Sequence, residues 1–346
     1  MKPLISIFIV IATLSPALVS QQLPDELVAK LTDNTTYPNI DGILVSRNNE
    51  LLIEAYFNGF GRDSLHETRS AHKSIISLLA GIAVDQGLFE VTDKVKTFIP
   101  EWRGDARGDI TIKDLLEMKS GLECEGFFDV GPDCESEMYE KKDWLGYLLD
   151  IPLRYEPGLY WEYSSMEPDL MALIITRASN MTIMDFADQY LLGPLGIEDL
   201  QWYITPDGRG YGGGSAYMKP LDMLTLAELV LNKGTWKGEQ LISERWIDES
   251  TTCQTLVEMS FLGIVGTEDA TFSDSRYGYF WYREVLNYKG IDTEVLFASG
   301  NGGQYLMILE DYDAAIAFTG SNYSNWRGKY PFEILIRYII PILEES

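Results

Sequence analysis

Residues 69–87 read RSAHKSIISLLAGIAVDQG, and our interpretation of the chain starts from this stretch. Its apolar residues recur at helical spacing and a glycine follows the last turn, which predicts a buried helix that stops at Gly87. Ser70 lies at the predicted helix start and Lys73 follows three residues later, so the two side chains share one face. A serine hydroxyl becomes a good nucleophile when a neighbour accepts its proton, and Lys73 is placed to do so.

The S-x-x-K pattern is short, and its structural alternative is an N-cap serine followed by a surface lysine. Ser70 is the only serine of the chain that has a lysine three positions later. Its backbone N–H lies at the start of the predicted helix, where it can stabilise an oxyanion. A strand pair before the motif and a buried helix after it favour the catalytic interpretation.

The composition indicates a globular protein with a large core. The chain has 346 residues, of which 46% are hydrophobic and 12% aromatic, enough for one large domain or two lobes. Its formal net charge is −26. That charge argues against nucleic acid and against anionic membrane surfaces as partners, and it favours substrates that are not strongly anionic.

Residues 1–20 are typical of a signal peptide. Lys2 precedes an apolar run from Leu4 to Leu14, and small and polar residues follow up to Ser20. The alternative is an uncleaved N-terminal anchor, and no later segment is long and apolar enough to cross a membrane. We therefore expect an exported protein, periplasmic or secreted, without stable membrane insertion after cleavage.

The chain contains three cysteines. Cys124 and Cys134 can close a short loop in an oxidising compartment and leave Cys253 unpaired, and the alternative is three free thiols.

The pattern of predicted elements indicates an α+β fold. Strands 41–46 and 51–57 form a predicted hairpin before the Ser70 helix, and a closing helix spans 326–344. We expect an antiparallel β-sheet flanked by helices, built from 21–87 plus 270–346, with a helical insertion domain at 88–269. The predicted helices of the insertion are 111–119, 143–150, 168–179, 183–192, 220–232 and 241–249, and the later predicted strands are 277–285, 293–298, 303–310 and 314–319.

Tyr163 is the second candidate for the site. It follows the Pro157-Gly158 turn on a predicted strand end and precedes a helix. A tyrosine beside the lysine can relay a proton to the leaving group. Its structural alternative is a core aromatic residue.

The third candidate is the sequence SGNGGQ at 299–304, which leads into a predicted strand. Paired glycines at Gly302 and Gly303 let a substrate approach the backbone, and the Gln304 N–H is a candidate second oxyanion donor. The structural alternative is a hairpin turn.

In this order, the three motifs resemble those of the serine β-lactamase and penicillin-binding-protein superfamily. The chain looks closest to the branch of esterases and 6-aminohexanoate-dimer hydrolases, and the resemblance covers roughly residues 41–319. It implies a β-lactamase/transpeptidase-like fold and an acyl-enzyme mechanism. In that mechanism Ser70 attacks a carbonyl, Lys73 and Tyr163 move protons, and the amides of Ser70 and Gln304 hold the oxyanion.

Two departures from the family pattern narrow the expected substrate. Asn301-Gly302-Gly303 stands where Lys-Thr-Gly is usual, which removes the cation that would meet a carboxylate. Ser165 stands where asparagine is usual, which weakens the contact to a substrate amide. Hydrolysis of an ester or small amide, without metal or organic cofactor, is therefore expected ahead of weak β-lactamase or D-amino-acid peptidase activity.

Other hydrolase classes fit the sequence poorly. The chain has two histidines, His66 and His72, and neither a Gly-x-Ser-x-Gly turn nor an H-E-x-x-H motif. We interpret His72 as structural because its offset points it away from the face of Ser70 and Lys73. The remaining alternative is a catalytically silent member of the same superfamily that binds a ligand. No protein partner can be inferred.

Overall fold

The structure is a computed structural model that describes most of the chain. The predicted signal peptide lies outside the described part, and none of the described helices is both long and apolar enough to cross a bilayer. The described residues are 22–124, 133–253, 255–257, 259–264 and 270–345.

Helices fill the middle of the chain and close both ends. Short 3-10 turns lie at Arg69–Ala71 and at Trp326–Lys329, each directly before an α-helix. The α-helices are α1 (Asp25–Thr32), α2 (His72–Asp85), α3 (Ile112–Leu116), α4 (Cys134–Tyr139), α5 (Trp144–Asp150), α6 (Met166–Ser179), α7 (Ile183–Ala187), α8 (Gly193–Leu195), α9 (Pro220–Leu231), α10 (Glu244–Thr251), α11 (Tyr330–Ile334) and α12 (Ile340–Glu345).

Strands come from both ends of the chain and form one large antiparallel sheet. Its order is β2-β1-β13-β12-β11-β10-β9-β7, and β8 also pairs with β10. The strands of this sheet are β1 (Ile40–Arg47), β2 (Glu50–Tyr56), β7 (Thr255–Leu256), β8 (Ala270–Phe272), β9 (Arg276–Tyr277), β10 (Tyr282–Tyr288), β11 (Ile291–Gly300), β12 (Gln304–Leu309) and β13 (Ala314–Gly320). Two separate two-stranded sheets are formed by β3 (His66–Glu67) with β4 (Tyr217–Met218) and by β5 (Thr235–Trp236) with β6 (Glu239–Gln240).

The sheet brings the two ends of the chain together. In register, Val45 of β1 lies between Ile53 of β2 and Ile316 of β13. All three are apolar and Val45 and Ile316 are fully buried, as expected of a strand at the centre of a core. The predicted hairpin is therefore present, and its first strand is joined to the last strand of the chain.

Helix α2 is buried along most of its length, from His72 to Ala83. It packs against α6, α10 and the end of β11. At Gly81 an added Cβ would lie 2.2 Å from the indole of Trp246 on α10, so only glycine lets the two helices approach this closely. The helix that directly follows the candidate nucleophile is thus fixed by the core on several sides.

One predicted strand is interrupted in the structure, and a second is absent. The strand expected at 277–285 breaks after β9, because Gly278 and Trp281 form a turn in which Phe280 has a φ of +62°. The carbonyl of Phe280 accepts a 2.6 Å hydrogen bond from the Ser74 hydroxyl, so the break docks onto α2.

The strand end expected between the Pro-Gly turn and α6 is also absent. The segment runs irregularly beside the loop that follows α3. Its backbone N–H groups at Gly158 and Glu162 donate to Lys119 O at 2.8 Å and Met118 O at 2.9 Å. These contacts satisfy its backbone without a strand partner.

The predicted division into a sheet domain and an insertion stays a prediction. Helix α9, from the expected insertion, packs on β1, β12 and β13. Strand β7, from the same segment, pairs with β9. The insertion therefore shares part of its packing with the sheet.

Cys124 and Cys134 are joined by a disulfide, with their Cα atoms 5.5 Å apart. The bond ties the start of α4 to the strand-like segment at Leu122. Cys253 is a free, buried cysteine, and burial raises the pKa of its thiol to about 12. The neutral thiol of Cys253 is therefore poorly suited to nucleophilic chemistry.

Candidate active site

Ser70 and Lys73 lie at the entrance of α2 and are hydrogen-bonded to each other. Ser70 is in the 3-10 turn before the helix, and the Lys73 Nζ lies 2.9 Å from its Oγ. The early N–H groups of such a turn have no acceptor within it, which leaves the Ser70 N–H available to a ligand. The predicted pair is thus within proton-transfer distance.

The backbone just before Ser70 is held in an unusual conformation. Arg69 has a φ of +48°, in the left-handed region that non-glycine residues rarely adopt. Its guanidinium lies 2.8 Å from the Glu67 carboxylate and stacks on the Tyr323 ring at 4.9 Å. Such conformations occur where the surrounding structure imposes them, commonly at functional sites.

Lys73 has three polar neighbours around its amine. Besides Ser70, the Nζ is within hydrogen-bond distance of the Ser165 Oγ, at 3.0 Å, and of the Gly213 carbonyl. The carbonyl can only accept, so one N–H of Lys73 is directed to Gly213. An amine that donates to Gly213 and Ser165 can accept the Ser70 proton on its remaining position.

Gly213 belongs to a glycine run at 212–214 that approaches the site closely. A Cβ on Gly213 would lie 2.2 Å from the Tyr211 Oη and 2.7 Å from the Ser165 O. Asp169 anchors the run, because its carboxylate accepts a 3.0 Å hydrogen bond from the Gly212 N–H. We did not predict this role from the sequence, although the three consecutive glycines were a signal for a close approach of the backbone.

Tyr163 lies next to the lysine, as its predicted role requires. The Lys73 Nζ is 5.1 Å from the centre of the Tyr163 ring. Tyr163 and Ser70 both line a cavity of about 280 Å³. The other residues that line this cavity are Glu135, Phe261, Tyr282, Ser299, Gly300, Asn301, Gly302, Tyr305, Asn325, Gly328 and Lys329.

The turn between β11 and β12 forms one wall of the cavity. Gly300 is required there, because an added Cβ would lie 2.3 Å from Thr68 O and 3.2 Å from Ala71 N. This close approach places the turn beside Ser70. Gly302 pairs with Asn322 in an isolated antiparallel bridge, whereas no acceptor among the described residues takes a hydrogen bond from the Asn301 N–H.

Gln304 differs from our expectation. Its side chain is fully buried and pairs with the backbone of Gly320, where the amide nitrogen donates to the carbonyl and the oxygen accepts from the N–H at 3.3 Å. Neither Gln304 nor Gly303 lines the cavity, whereas Asn301 and Gly302 do. The predicted donor was the backbone N–H of Gln304, but this residue pairs with Gly300 in the β11–β12 hairpin and lies away from the cavity wall, with its side chain in the core beside β13.

A buried carboxyl supports the segment that carries Tyr163 and Ser165. Glu167, at the start of α6, accepts hydrogen bonds from the hydroxyls of Ser164 and, at 2.7 Å, of Ser120. Burial raises the pKa of Glu167, and these two hydroxyls partly oppose that rise. Glu167 is a positioning residue that the sequence analysis did not single out.

His72 has the structural role that we predicted. It is fully buried and its ring meets Trp202 edge-on at 4.7 Å. Burial, with a smaller effect of the Lys73 charge, lowers the pKa of His72 to about 3, so the imidazole is neutral. Within the described ranges, no cluster of three or more His, Cys, Asp or Glu side chains could hold a metal ion.

The site combines a serine at a helix entrance with a lysine in contact with it and a tyrosine on the same cavity. This combination is typical of serine hydrolases, and here it lies on an α+β fold. The chain belongs to the β-lactamase family, whose profile matches residues 27–335. The predicted family resemblance and fold class are confirmed.

A curated relative of the chain is a hydrolase. The 6-aminohexanoate-dimer hydrolase of Paenarthrobacter ureafaciens is 24% identical over 242 residues, which cover 66% of this chain and 60% of that protein. The chain therefore matches somewhat under two thirds of the length of this curated relative.

Solved structures show the same fold at low sequence identity. EstCE1, described as a hydrolase with promiscuous acyltransferase activity, has a TM-score of 0.69 and 16% identity over 89% of this chain and 96% of its own. A class C β-lactamase from Rhodobacter sphaeroides has a TM-score of 0.60 and 18% identity over 92% and 97%. These similarities establish the architecture.

Proposed function

We propose that this chain is an exported serine hydrolase that cleaves an ester or a small amide through an acyl-enzyme on Ser70. The observation that carries the proposal is the 2.9 Å contact between Lys73 Nζ and Ser70 Oγ on a cavity also lined by Tyr163. Its membership of a family of serine hydrolases supports the reaction class.

The proposed first step is acylation. Lys73 accepts the Ser70 proton while the Oγ attacks the substrate carbonyl, and the new oxyanion is held by backbone N–H groups. We assign these donors to Ser70 and to Asn301 in the turn between β11 and β12, in place of Gln304. When the tetrahedral intermediate collapses, Tyr163 passes a proton to the leaving group.

The proposed second step is deacylation. A water molecule attacks the acyl carbonyl, gives its proton to the same relay and displaces the Ser70 oxygen, which recovers its own proton. The product is a carboxylic acid, and the enzyme returns to its starting state. The overall balance is substrate plus one water molecule to a carboxylic acid and an alcohol or amine.

Export is proposed from two features. Residues 1–20 have the pattern of a signal peptide. The disulfide between Cys124 and Cys134 suits an oxidising compartment.

The decisive experiment is intact-protein mass after treatment with a neutral fluorophosphonate probe. We expect one adduct on wild type and none on Ser70→Ala. The matched control is Ser77→Ala, which removes a buried hydroxyl seven residues after Ser70, about two helical turns further along the chain, and should label like wild type. A panel of esters, amides and β-lactams would then rank the substrates.

A well-folded wild type without an adduct would overturn the proposal. That result would support the alternative, a catalytically silent binding protein, which the replacements at Ser165 and at Asn301-Gly302-Gly303 favour.

A further inference from the structure

A second lysine lies on the candidate active site. Lys329 ends the 3-10 turn before α11 and lines the same cavity as Ser70. Its Nζ lies 3.9 Å from the centre of the Phe261 ring and 5.5 Å from that of Tyr305. None of residues 301–303 is positively charged, but Lys329 of the C-terminal segment places a positive charge on the same cavity.

The ammonium group of Lys329 forms no ion pair with another described residue. Among the described residues, no carboxylate lies within 4.0 Å of its Nζ, and no oxygen accepts a hydrogen bond from it. Lys73 differs, because its amine has three polar neighbours. A half-buried ammonium with only aromatic contacts keeps three N–H donors for a ligand.

The aromatic surface under Lys329 is fixed from the sheet. The Glu284 carboxylate on β10 accepts hydrogen bonds from the N–H of Phe261 at 2.6 Å, the N–H of Leu262 at 3.1 Å and the Ser260 hydroxyl at 2.7 Å. These bonds hold the Phe261 ring in the cavity wall. Because the Glu284 carboxylate is engaged in these hydrogen bonds, it affects Lys329 only through longer-range electrostatic attraction.

We propose that Lys329 binds a carboxylate of the substrate, so that the chain prefers esters or amides whose acyl or leaving group carries one negative charge. The inference rests on the proposed hydrolase function and names the substrate class for that same cavity. An ammonium–carboxylate contact in a partly enclosed site is a charge-assisted hydrogen bond and contributes substantially to binding. Glu135 also lines the cavity and disfavours a second negative charge near α4.

The preference depends on pH. Burial lowers the pKa of Lys329 to about 7, and the Glu284 carboxylate opposes that shift. Below this value the ammonium form predominates and attracts the carboxylate, and above it the attraction weakens. The other ionisable groups that line this cavity or lie beside it are Glu135, Lys73, Tyr163, Tyr282 and Tyr305.

The test compares two esters that differ in one charge. Mono-4-nitrophenyl glutarate carries a carboxylate, and 4-nitrophenyl 4-carbamoylbutyrate replaces it by a neutral amide. We expect Lys329→Met to lower the anionic-to-neutral ratio of kcat/KM at pH 6.5 by about 10- to 100-fold, mainly through KM. Lys237→Met, in the exposed β5–β6 turn outside the cavity, should keep the wild-type ratio.

A charge-conserving variant sharpens the test. The wild-type ratio should fall between pH 6.5 and 8.5, whereas Lys329→Arg should keep it, because guanidinium stays protonated over this range. Both esters share the pH dependence of the Ser70 and Lys73 chemistry, so that dependence cancels in the ratio of their kcat/KM values. An unchanged ratio in Lys329→Met would overturn the proposal.

A binding measurement separates this proposal from the proposed function. Glutaric acid monoanilide and its neutral methyl ester are titrated into Ser70→Ala protein, with and without Lys329→Met, by calorimetry. Selective weakening of the anionic ligand by about 10- to 100-fold would support the anion site even if wild type proved unreactive toward fluorophosphonate. Equal affinities in the two proteins would refute it, whatever the labelling shows.

Discussion

The Lys73 Nζ lies 2.9 Å from the Ser70 Oγ and 3.0 Å from the Ser165 Oγ, so one amine connects the two segments of the candidate active site. The Gly213 carbonyl completes its surroundings. The position of this amine therefore depends on α2, on the start of α6 and on the glycine run together. This dependence makes the role of each segment testable.

Replacing the amine should remove catalysis while the fold is retained. We expect Lys73→Met to slow fluorophosphonate labelling of Ser70 by about 10²- to 10⁴-fold, because no other base contacts the hydroxyl in the described structure. Labelling rates by mass spectrometry and a thermal melt would check this. A variant that labels at the wild-type rate would exclude Lys73 as the general base.

Tyr163→Phe tests the proton relay. The substitution keeps the ring beside Lys73 and removes only the hydroxyl, so we expect kcat to fall by about 10²- to 10⁴-fold with little change in stability. For esters with good leaving groups kcat should fall less, because such leaving groups depart with less need of protonation. A uniformly near-normal kcat would return Tyr163 to a packing role.

Gly213→Ala tests the close approach of the glycine run. The added methyl would meet the Tyr211 hydroxyl and the Ser165 carbonyl, and moving this backbone would displace an acceptor of Lys73. We expect a destabilisation of about 1–3 kcal/mol in urea unfolding and a lower labelling rate. Gly61→Ala, where nothing lies within 4 Å of the new Cβ, is the control and should change neither quantity.

Glu167→Gln tests the buried carboxyl behind the site. Burial raises the folded-state pKa of Glu167, so its contribution to stability is present at low pH and lost as the pH rises through that value. Wild type should therefore lose stability relative to Glu167→Gln as the pH rises above 4.5, the ordinary pKa of a glutamic acid. Urea unfolding at several pH values measures this difference.

Glu101→Gln provides a control of opposite sign. The Arg177 guanidinium lowers the pKa of Glu101, whose small contribution is lost as the pH falls. The difference between wild type and this variant should therefore shrink toward low pH. Parallel pH profiles for the two variants would contradict our account of Glu167.

Local patterns predicted much of the fold. The hairpin of β1 and β2, the buried helix α2, and the last three strands follow from apolar periodicity and turn residues, which act over a few positions. The break at 278–281 did not follow, because the hydrogen bond from Ser74 to Phe280 joins residues far apart in the chain.

The candidate site was predictable only in part. Ser70 and Lys73 are one helical turn apart, so their contact depends on local geometry alone. The contacts of Lys73 with Ser165 and Gly213 join positions separated by 92 and 140 residues. Of these two, only Ser165 was a candidate, and it entered through the family resemblance.

By itself, the sequence determined the candidate serine–lysine pair, the α+β class and the family, because these depend on short spacings and hydrophobic pattern. Only the tertiary structure decided what surrounds that pair. Sheet pairing turned Gln304 into the core, and the C-terminal segment brought Lys329 to the cavity. Such placements depend on long-range packing, in which a residue's neighbours are set by how whole elements meet and not by its own position in the chain.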